Sequence, residues 1–253
     1  MTNVTRLIVL QLHQTVDKNV ANVVQIVTVE VFVLKPVRIW FTKDNECKYI
    51  SHLDLNRVVM RALHKSKLNI WHTEGFNPHP FVTFALPLSL GFKGVKETMD
   101  IKLLDDDYNK EEIISAINNC LPSGIKVYDV TEPVMKAGKI AQALFEINLY
   151  PETVDLDTLY NNFTELLNQP EILVMKKTKK KGLKEIDIKP HILKVNVAKE
   201  DDCVKCNMLL PAGSTTNINP TLFINAYNEK YSDDVIYRIT RLDVFNDKGE
   251  SFK

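Results

Sequence analysis

Val37-Arg38-Ile39-Trp40-Phe41-Thr42-Lys43, followed by Ser51-His52-Leu53-Asp54-Leu55-Asn56-Arg57-Val58-Val59, is the stretch that decides the fold, because an extended segment leads there into a capped amphipathic helix. Ser51 is a good N-cap, and Leu55, Val58, Val59, Ala62 and Leu63 recur at helical spacing as a buried stripe. Working outward, Phe81 to Leu86 and Thr98 to Leu104 read as strands, Asn109 to Leu121 as a helix and Ile125 to Val130 as a strand. The order strand, helix, strand, strand, helix, strand is the split βαβ arrangement. It returns as Ala143 to Tyr150, Leu156 to Asn168, Ile172 to Lys177, Cys203 to Leu210, Thr221 to Tyr231 and Val235 to Val244. The expected class is therefore α+β, with two tandem ferredoxin-like (βαββαβ) halves over 36–131 and 143–253, joined by a linker at 132–142. The second half carries a lysine-rich insertion, 176–200, holding a further strand at Ile192 to Val197. Residues 1–35 read as an extension, disordered or produced by a mis-assigned start, because Met1 to Val20 shows no cap, turn or helical stripe.

At 253 residues and 45% hydrophobic content, the chain can bury one large core or two small ones. No apolar run reaches the roughly 18 residues a membrane helix needs, and the start lacks the pattern of a secretory signal, so a cytoplasmic protein is expected. Lys plus Arg total 32 and Asp plus Glu total 32, so overall charge steers towards no partner. The distribution is uneven. Between Glu171 and Glu200, Lys176, Lys177, Lys179, Lys180, Lys181, Lys184, Lys189, Lys194 and Lys199 stand against Glu171, Glu185, Asp187 and Glu200, a local excess of five positive charges that attracts phosphate. The four cysteines include one Cys-x-x-Cys, Cys203 to Cys206, on a predicted strand where residues three apart point to opposite faces. Unpaired thiols in a reducing compartment are expected, with no metal bound by this chain.

Candidate functional residues gather after the first strand. Asp54, Arg57, Arg61 and Lys65 fall along one solvent-facing ridge of the helix, and two arginines on a ridge suit bidentate phosphate binding. A short connection later, Glu74-Gly75-Phe76-Asn77-Pro78-His79-Pro80 makes a rigid loop presenting His72 and His79. His52 and His79 are the candidate acid and base, since imidazole is the side chain that titrates near neutral pH. Asp54, Arg57, Arg61, Glu74, Asn77 and Asp187 are the candidate binding residues, and Lys176, Lys177, Lys179, Lys180 and Lys181 the phosphate-attracting set. Each has a plainer role: Asp54 and Arg57 as a surface pair, Asn77 as a turn residue, Asp187 as a solvated strand residue, the lysines as a solvated hairpin tip. His52, Arg57, Asn77 and His79 are expected to converge beside the first sheet.

The words Tyr49 to Arg57 (YISHLDLNR), Glu74 to Pro80 (EGFNPHP), Phe84 to Phe92 (FALPLSLGF) and Lys184 to Pro190 (KEIDIKP) resemble the bacterial radical-SAM-linked protein family, from about Lys35 to about Phe245. The resemblance implies a partner more than a reaction: such domains are encoded beside, or fused to, cobalamin-binding radical-SAM proteins. Iron-sulfur cluster, S-adenosylmethionine and cobalamin would then sit in that partner, and this chain would hold no cofactor. A radical-SAM cysteine triplet, Cys-x3-Cys-x2-Cys, is absent here. The resulting expectation is an accessory RNA-binding module serving a radical-SAM enzyme in ribosomal or transfer RNA modification, with no independent activity. The alternatives are a metal-free RNA-processing enzyme using His52 and His79, and a protein-only adaptor of the radical-SAM enzyme.

Overall fold

The computed structural model describes residues 34–105, 107–177, 182–213 and 215–253. The predicted extension, up to residue 33, and the lysines Lys179, Lys180 and Lys181 lie outside the described residues. The first half runs β1 (Lys35–Lys43), α1 (His52–Lys65), β2 (Val82–Phe84), β3 (Lys93–Leu103), α2 (Lys110–Asn118) and β4 (Ile125–Thr131). The second runs β5 (Ile140–Tyr150), α3 (Leu156–Asn168), β6 (Leu173–Lys177), β7 (Leu183–Asp187), β8 (Lys194–Lys199), β9 (Val204–Pro211), α4 (Thr221–Tyr231) and β10 (Ile236–Asn246). The linker is shorter than expected, because β5 already pairs at Ile140, opposite Asn246.

Side-chain caps start three of the helices. Ser51 Oγ accepts the Asp54 backbone N–H at 3.1 Å, Asn109 Oδ1 accepts those of Glu111 and Glu112, and Asp155 Oδ1 accepts that of Thr158. Each satisfies donors that the first helical turn leaves without carbonyl partners. The apolar stripe of α1 then buries Leu55, Val59, Ala62 and Leu63.

The main sheet is mixed. Its order is β4-β1-β3-β10-β5-β9-β8, with β2 pairing the far end of β3. Within each half all pairs are antiparallel, in the orders β4-β1-β3-β2 and β10-β5-β9-β8. The halves join through a short parallel contact, Thr240 opposite Lys93 and Arg241 opposite Gly94. That join is possible because β3 is long: its start meets β10, while Met99 and Ile101 near its end meet β2.

One strand assignment changes. The segment expected to supply the second sheet strand of the later half, Ile172 to Lys177, instead closes a separate hairpin of β6 and β7, in register from Leu173 opposite Asp187 to Lys177 opposite Leu183. β8 takes the sheet position, with Val195 and Val197 opposite Met208 and Cys206 of β9. The reason is local: a hairpin closed by a few residues costs little loop entropy, whereas β8 lies next to β9 in the chain and pairs with it through its whole length.

α1 and α2 pack on one face of the first half, with Val37, Ile39, Phe41, Met99 and Ile101 beneath them. α3 and α4 pack on the second half, over Ala143, Phe145, Ile147, Leu149 and Met208. The opposite face of the first half is closed by the chain end. There the buried Arg38 binds Asp100 through Nε at 2.7 Å and Nη2 at 2.8 Å, bonds the carbonyls of Met135 and Lys253, and stacks its guanidinium 4.1 Å from the Phe252 ring.

Candidate functional site

The helix start forms one small network. Ser51 Oγ donates to Asp54 Oδ2 at 2.7 Å while accepting the Asp54 N–H, and Arg57 Nη1 donates to Asp54 Oδ1 at 3.0 Å. The Ser51 hydroxyl, then Arg57, hold the Asp54 carboxyl below the usual carboxylate range. Arg57 is thus already engaged. Arg61 and Lys65, further along the ridge, make no ion pair among the described residues.

His52 turns inward from this ridge. Its ring meets Phe84 edge-on at 5.2 Å, and its Nδ1 is buried without a hydrogen-bond partner. Burial first, and then the charges of Lys43 and Arg241, hold its imidazole below the usual range, so the ring is neutral near neutral pH.

The loop from Ile70 to Val82 is a hairpin at the end of β3. Ile70 bridges Leu103 and His72 bridges Pro80. The Trp71 and Phe81 rings meet at a tilt of 54° with their centres 5.5 Å apart, and Lys102 Nζ lies 4.8 and 4.7 Å from those centres. At the tip Gly75 has φ +124°, a conformation strained for other residues, and Phe76 projects with its whole side chain exposed. His79 Nδ1 lies 2.9 Å from the Asn77 carbonyl and 3.1 Å from Thr73 Oγ1, so Asn77 contributes its backbone and the ring is tied within its own loop. Glu74 is exposed, and no ion pair involves it among the described residues. The hairpin meets α1 at the helix's last turn, where the His64 and His72 rings are 6.4 Å apart. His52 stands at the first turn. No hydrogen bond, ion pair or ring contact joins His52 or Arg57 to Asn77 or His79 among the described residues, so the expected set of four divides between the two ends of α1.

Asp187 has a backbone task. Its Oδ1 accepts the N–H groups of Ile172 at 2.8 Å and Lys189 at 2.9 Å, pinning the base of the β6–β7 hairpin. In that hairpin the register sets Lys176 opposite Lys184 and Lys177 opposite Leu183.

A third group was not singled out from sequence. Where the two halves meet, Arg241 Nε donates to Glu97 Oε1 at 2.9 Å and Nη2 donates to Oε2, with both side chains nearly inaccessible. Nη1 and Nη2 also reach the carbonyls of Pro87, at 3.0 Å, and Leu86, at 2.8 Å. Beside them Lys43 is buried, its Nζ bonded to the Ile50 carbonyl at 3.1 Å, and burial pushes its ammonium below the usual range against the pull of Glu97. No Cβ fits at Gly94, where one would stand 2.5 Å from the Glu97 side chain. A small cavity of about 40 Å³ adjoins Arg241, lined by Leu86 to Ser89 and Asn217 to Pro220. The words YISHLDLNR and FALPLSLGF therefore meet over this seam, while EGFNPHP lies in the hairpin. A usable signal existed: Lys43 shares strand parity with Ile39 and Phe41, and Arg241 with Ile239, so both charges fall on core-facing positions.

Cys203 and Cys206 are both buried, and burial pushes the Cys206 thiol up to about 12. Among the described residues no three His, Cys, Asp or Glu side chains gather as a metal site, and no helix is long and apolar enough to cross a membrane.

No curated protein matches the chain. Among solved structures it is similar to a chain in the crystal structure of a Cbf5-Nop10-Gar1 complex, at 11% identity over 83% of this chain, with a TM-score of 0.43. It spans only 50% of that chain. It is also similar to the crystal structure of an unknown protein from Galdieria sulphuraria, at 10% identity over 83% of this chain and 99% of that one, with a TM-score of 0.24. Residues 36–220, which hold all four motif words, match the family described as an uncharacterized protein conserved in bacteria, and the chain belongs to that family, DUF2344.

Proposed function

We propose that the chain is an accessory RNA-binding module, acting in the cytoplasm beside a radical-SAM enzyme that modifies ribosomal or transfer RNA. The observation that carries this reading is the surface running along α1. Arg57, Arg61 and Lys65 form an exposed basic ridge whose last turn abuts the hairpin of His72 and His79, and that hairpin exposes Phe76 completely at its tip. Cations that follow a phosphate backbone, next to an aromatic face on which a base can stack, are the elements single-stranded RNA recognition uses. The lysines of the β6–β7 hairpin add attraction that is independent of sequence. On this reading the two antiparallel parts of the main sheet, each with its helices, are tandem ferredoxin-like halves, and the iron-sulfur cluster, S-adenosylmethionine and cobalamin belong to the partner.

Independent RNA cleavage by His52 and His79 gains no support from the contacts, since one ring packs on Phe84 and the other is tied to its own loop. A protein-only adaptor has one observation in its favour. Tyr49, Leu53 and Leu90 are exposed, and the loop of Leu90 is fastened to the Tyr49 segment by the Gly91 N–H to Lys48 carbonyl bond of 2.8 Å. Grouped apolar side chains of this kind suit a protein partner.

Ultraviolet crosslinking of the purified full-length protein to total cellular RNA separates the readings. RNA adducts on the peptide containing Phe76, weakened in the Arg61→Ala, Lys65→Ala double variant, are the expected result. Absence of adducts, together with retention of a radical-SAM protein on the immobilised chain, would replace this reading with the adaptor.

A further inference from the structure

On the first half, the chain end closes the sheet face opposite the helices. On the second half no described residue covers that face. Its side chains are half-buried on β5, β9 and β10 and exposed on β8, and they form a concavity of about 640 Å³, a volume within the roughly 300–1,000 Å³ of ligand sites. Leu144 of β5, Leu209 of β9, and Leu242 and Phe245 of β10 give it an apolar floor. Asn196 and Asn207 stand directly opposite each other in the β8–β9 register. Neither amide has a side-chain hydrogen bond among the described residues, and Asn207 Oδ1 is buried without a donor. The one charged lining residue is Lys194.

We propose that this groove binds a nucleotide of single-stranded RNA, an inference that rests on the RNA-binding reading above and adds a second contact surface to it. Three features select this occupant. A flat apolar floor accepts the face of a base. A buried amide oxygen lacking a donor needs an N–H group, which the edge of a base supplies and a lipid chain does not. Lys194 attracts a phosphate at the β8 edge of the groove, while the β5–β9 register sets the Glu146 carboxylate opposite Asn207 on the same face. Duplex RNA is excluded, since its paired bases cannot lie on the floor.

The test uses the full-length protein and a fluorescein-labelled single-stranded RNA of mixed sequence, followed by anisotropy, with the matching duplex as comparison. Asn207→Asp removes the amide and adds a second carboxylate beside that of Glu146, and is expected to weaken affinity at least about tenfold. Lys194→Ala is expected to flatten the slope of log affinity against log salt by about 0.7. As a measurement free of any folding defect, photocrosslinking of the unaltered protein to a 4-thiouridine-containing strand is expected to label the peptides of β8 and β9. Unchanged affinity in an Asn207→Asp variant that melts like the parent overturns the groove. So do equal affinity for the duplex, crosslinks confined to α1 and the Phe76 hairpin, and a groove found occupied by an acidic peptide or by residues 1–33. If Arg61→Ala with Lys65→Ala abolishes binding while Asn207→Asp does not, the groove falls and the RNA-binding reading stands. If the parent protein binds no single-stranded RNA, both fall.

Discussion

Glu97→Gln tests the seam between the two halves. In the parent protein the Glu97 carboxylate receives two N–H bonds from Arg241, and the two side chains are 6% and 5% exposed. The substitution keeps the shape and removes the charge, leaving a buried guanidinium with only neutral acceptors, the carbonyls of Leu86 and Pro87 and the new amide oxygen. Two unit charges about 4 Å apart share about 4 kcal/mol at an effective dielectric near 20, and removing one member of a buried pair costs about 3–5 kcal/mol. We expect a loss of about 3 kcal/mol, since the glutamine carbonyl still accepts one bond. With a urea m-value of about 3 kcal/mol/M, the midpoint falls by about 1 M. Urea unfolding followed by two probes gives more than the midpoint, because both tryptophans, Trp40 and Trp71, belong to the first half, while far-ultraviolet dichroism reports both halves. The parent should show coincident transitions. In the variant the tryptophan signal should separate from the dichroism, as the halves lose the buried ion pair between them. Changing both residues to methionine should recover part of the loss, because no uncompensated charge then remains. A loss under about 1 kcal/mol with coincident transitions would refute the idea that this pair couples the halves.

Ser51→Ala should lower stability by about 1 kcal/mol, seen as a reduced melting temperature, and an unchanged melting curve would show that the Asp54 N–H finds another acceptor. The His52 ring, followed by NMR, should titrate below the usual histidine range, because burial and the Lys43 and Arg241 charges disfavour its cation. A group whose folded pKa is depressed binds more protons when unfolded, so its contribution is present above the unfolded value of about 6.5 and is lost as pH falls through the folded value. His52→Phe should remove that part of the acid sensitivity, and an identical stability profile between pH 5 and 7 would count against it. Cys206, its thiol pushed up to about 12 by burial, should resist alkylation at pH 8 until denaturant is added, and rapid labelling of the native protein would contradict its placement.

The parts of this protein legible in its sequence are those set by neighbours along the chain. The α1 helix follows from a Ser51 cap three residues from its acceptor N–H and from an apolar stripe repeating at helical spacing, both short-range facts. The series of elements in the first half, and the strands β5, β9 and β10, follow from the same local patterns. Strand partnership does not. Both Ile172 to Lys177 and Ile192 to Val197 have strand character, and only the pairing of Val195 and Val197 with β9 places β8 in the sheet and leaves β6 to β7. The candidate site divided for the same reason. Spacing put Arg57 and His79 in adjacent words, but α1 carries His52 and the hairpin to its opposite ends, and Asp187 found backbone donors where sequence offered a strand position open to solvent. Glu97 and Arg241 lie 144 residues apart, so no local pattern reports their contact. Residue identity and spacing determined helices, caps and strand faces, because those depend on interactions within a few residues. Which charges are buried together, and which sheet face stays open, was decided only when β3 and β10 paired and brought the two halves side by side.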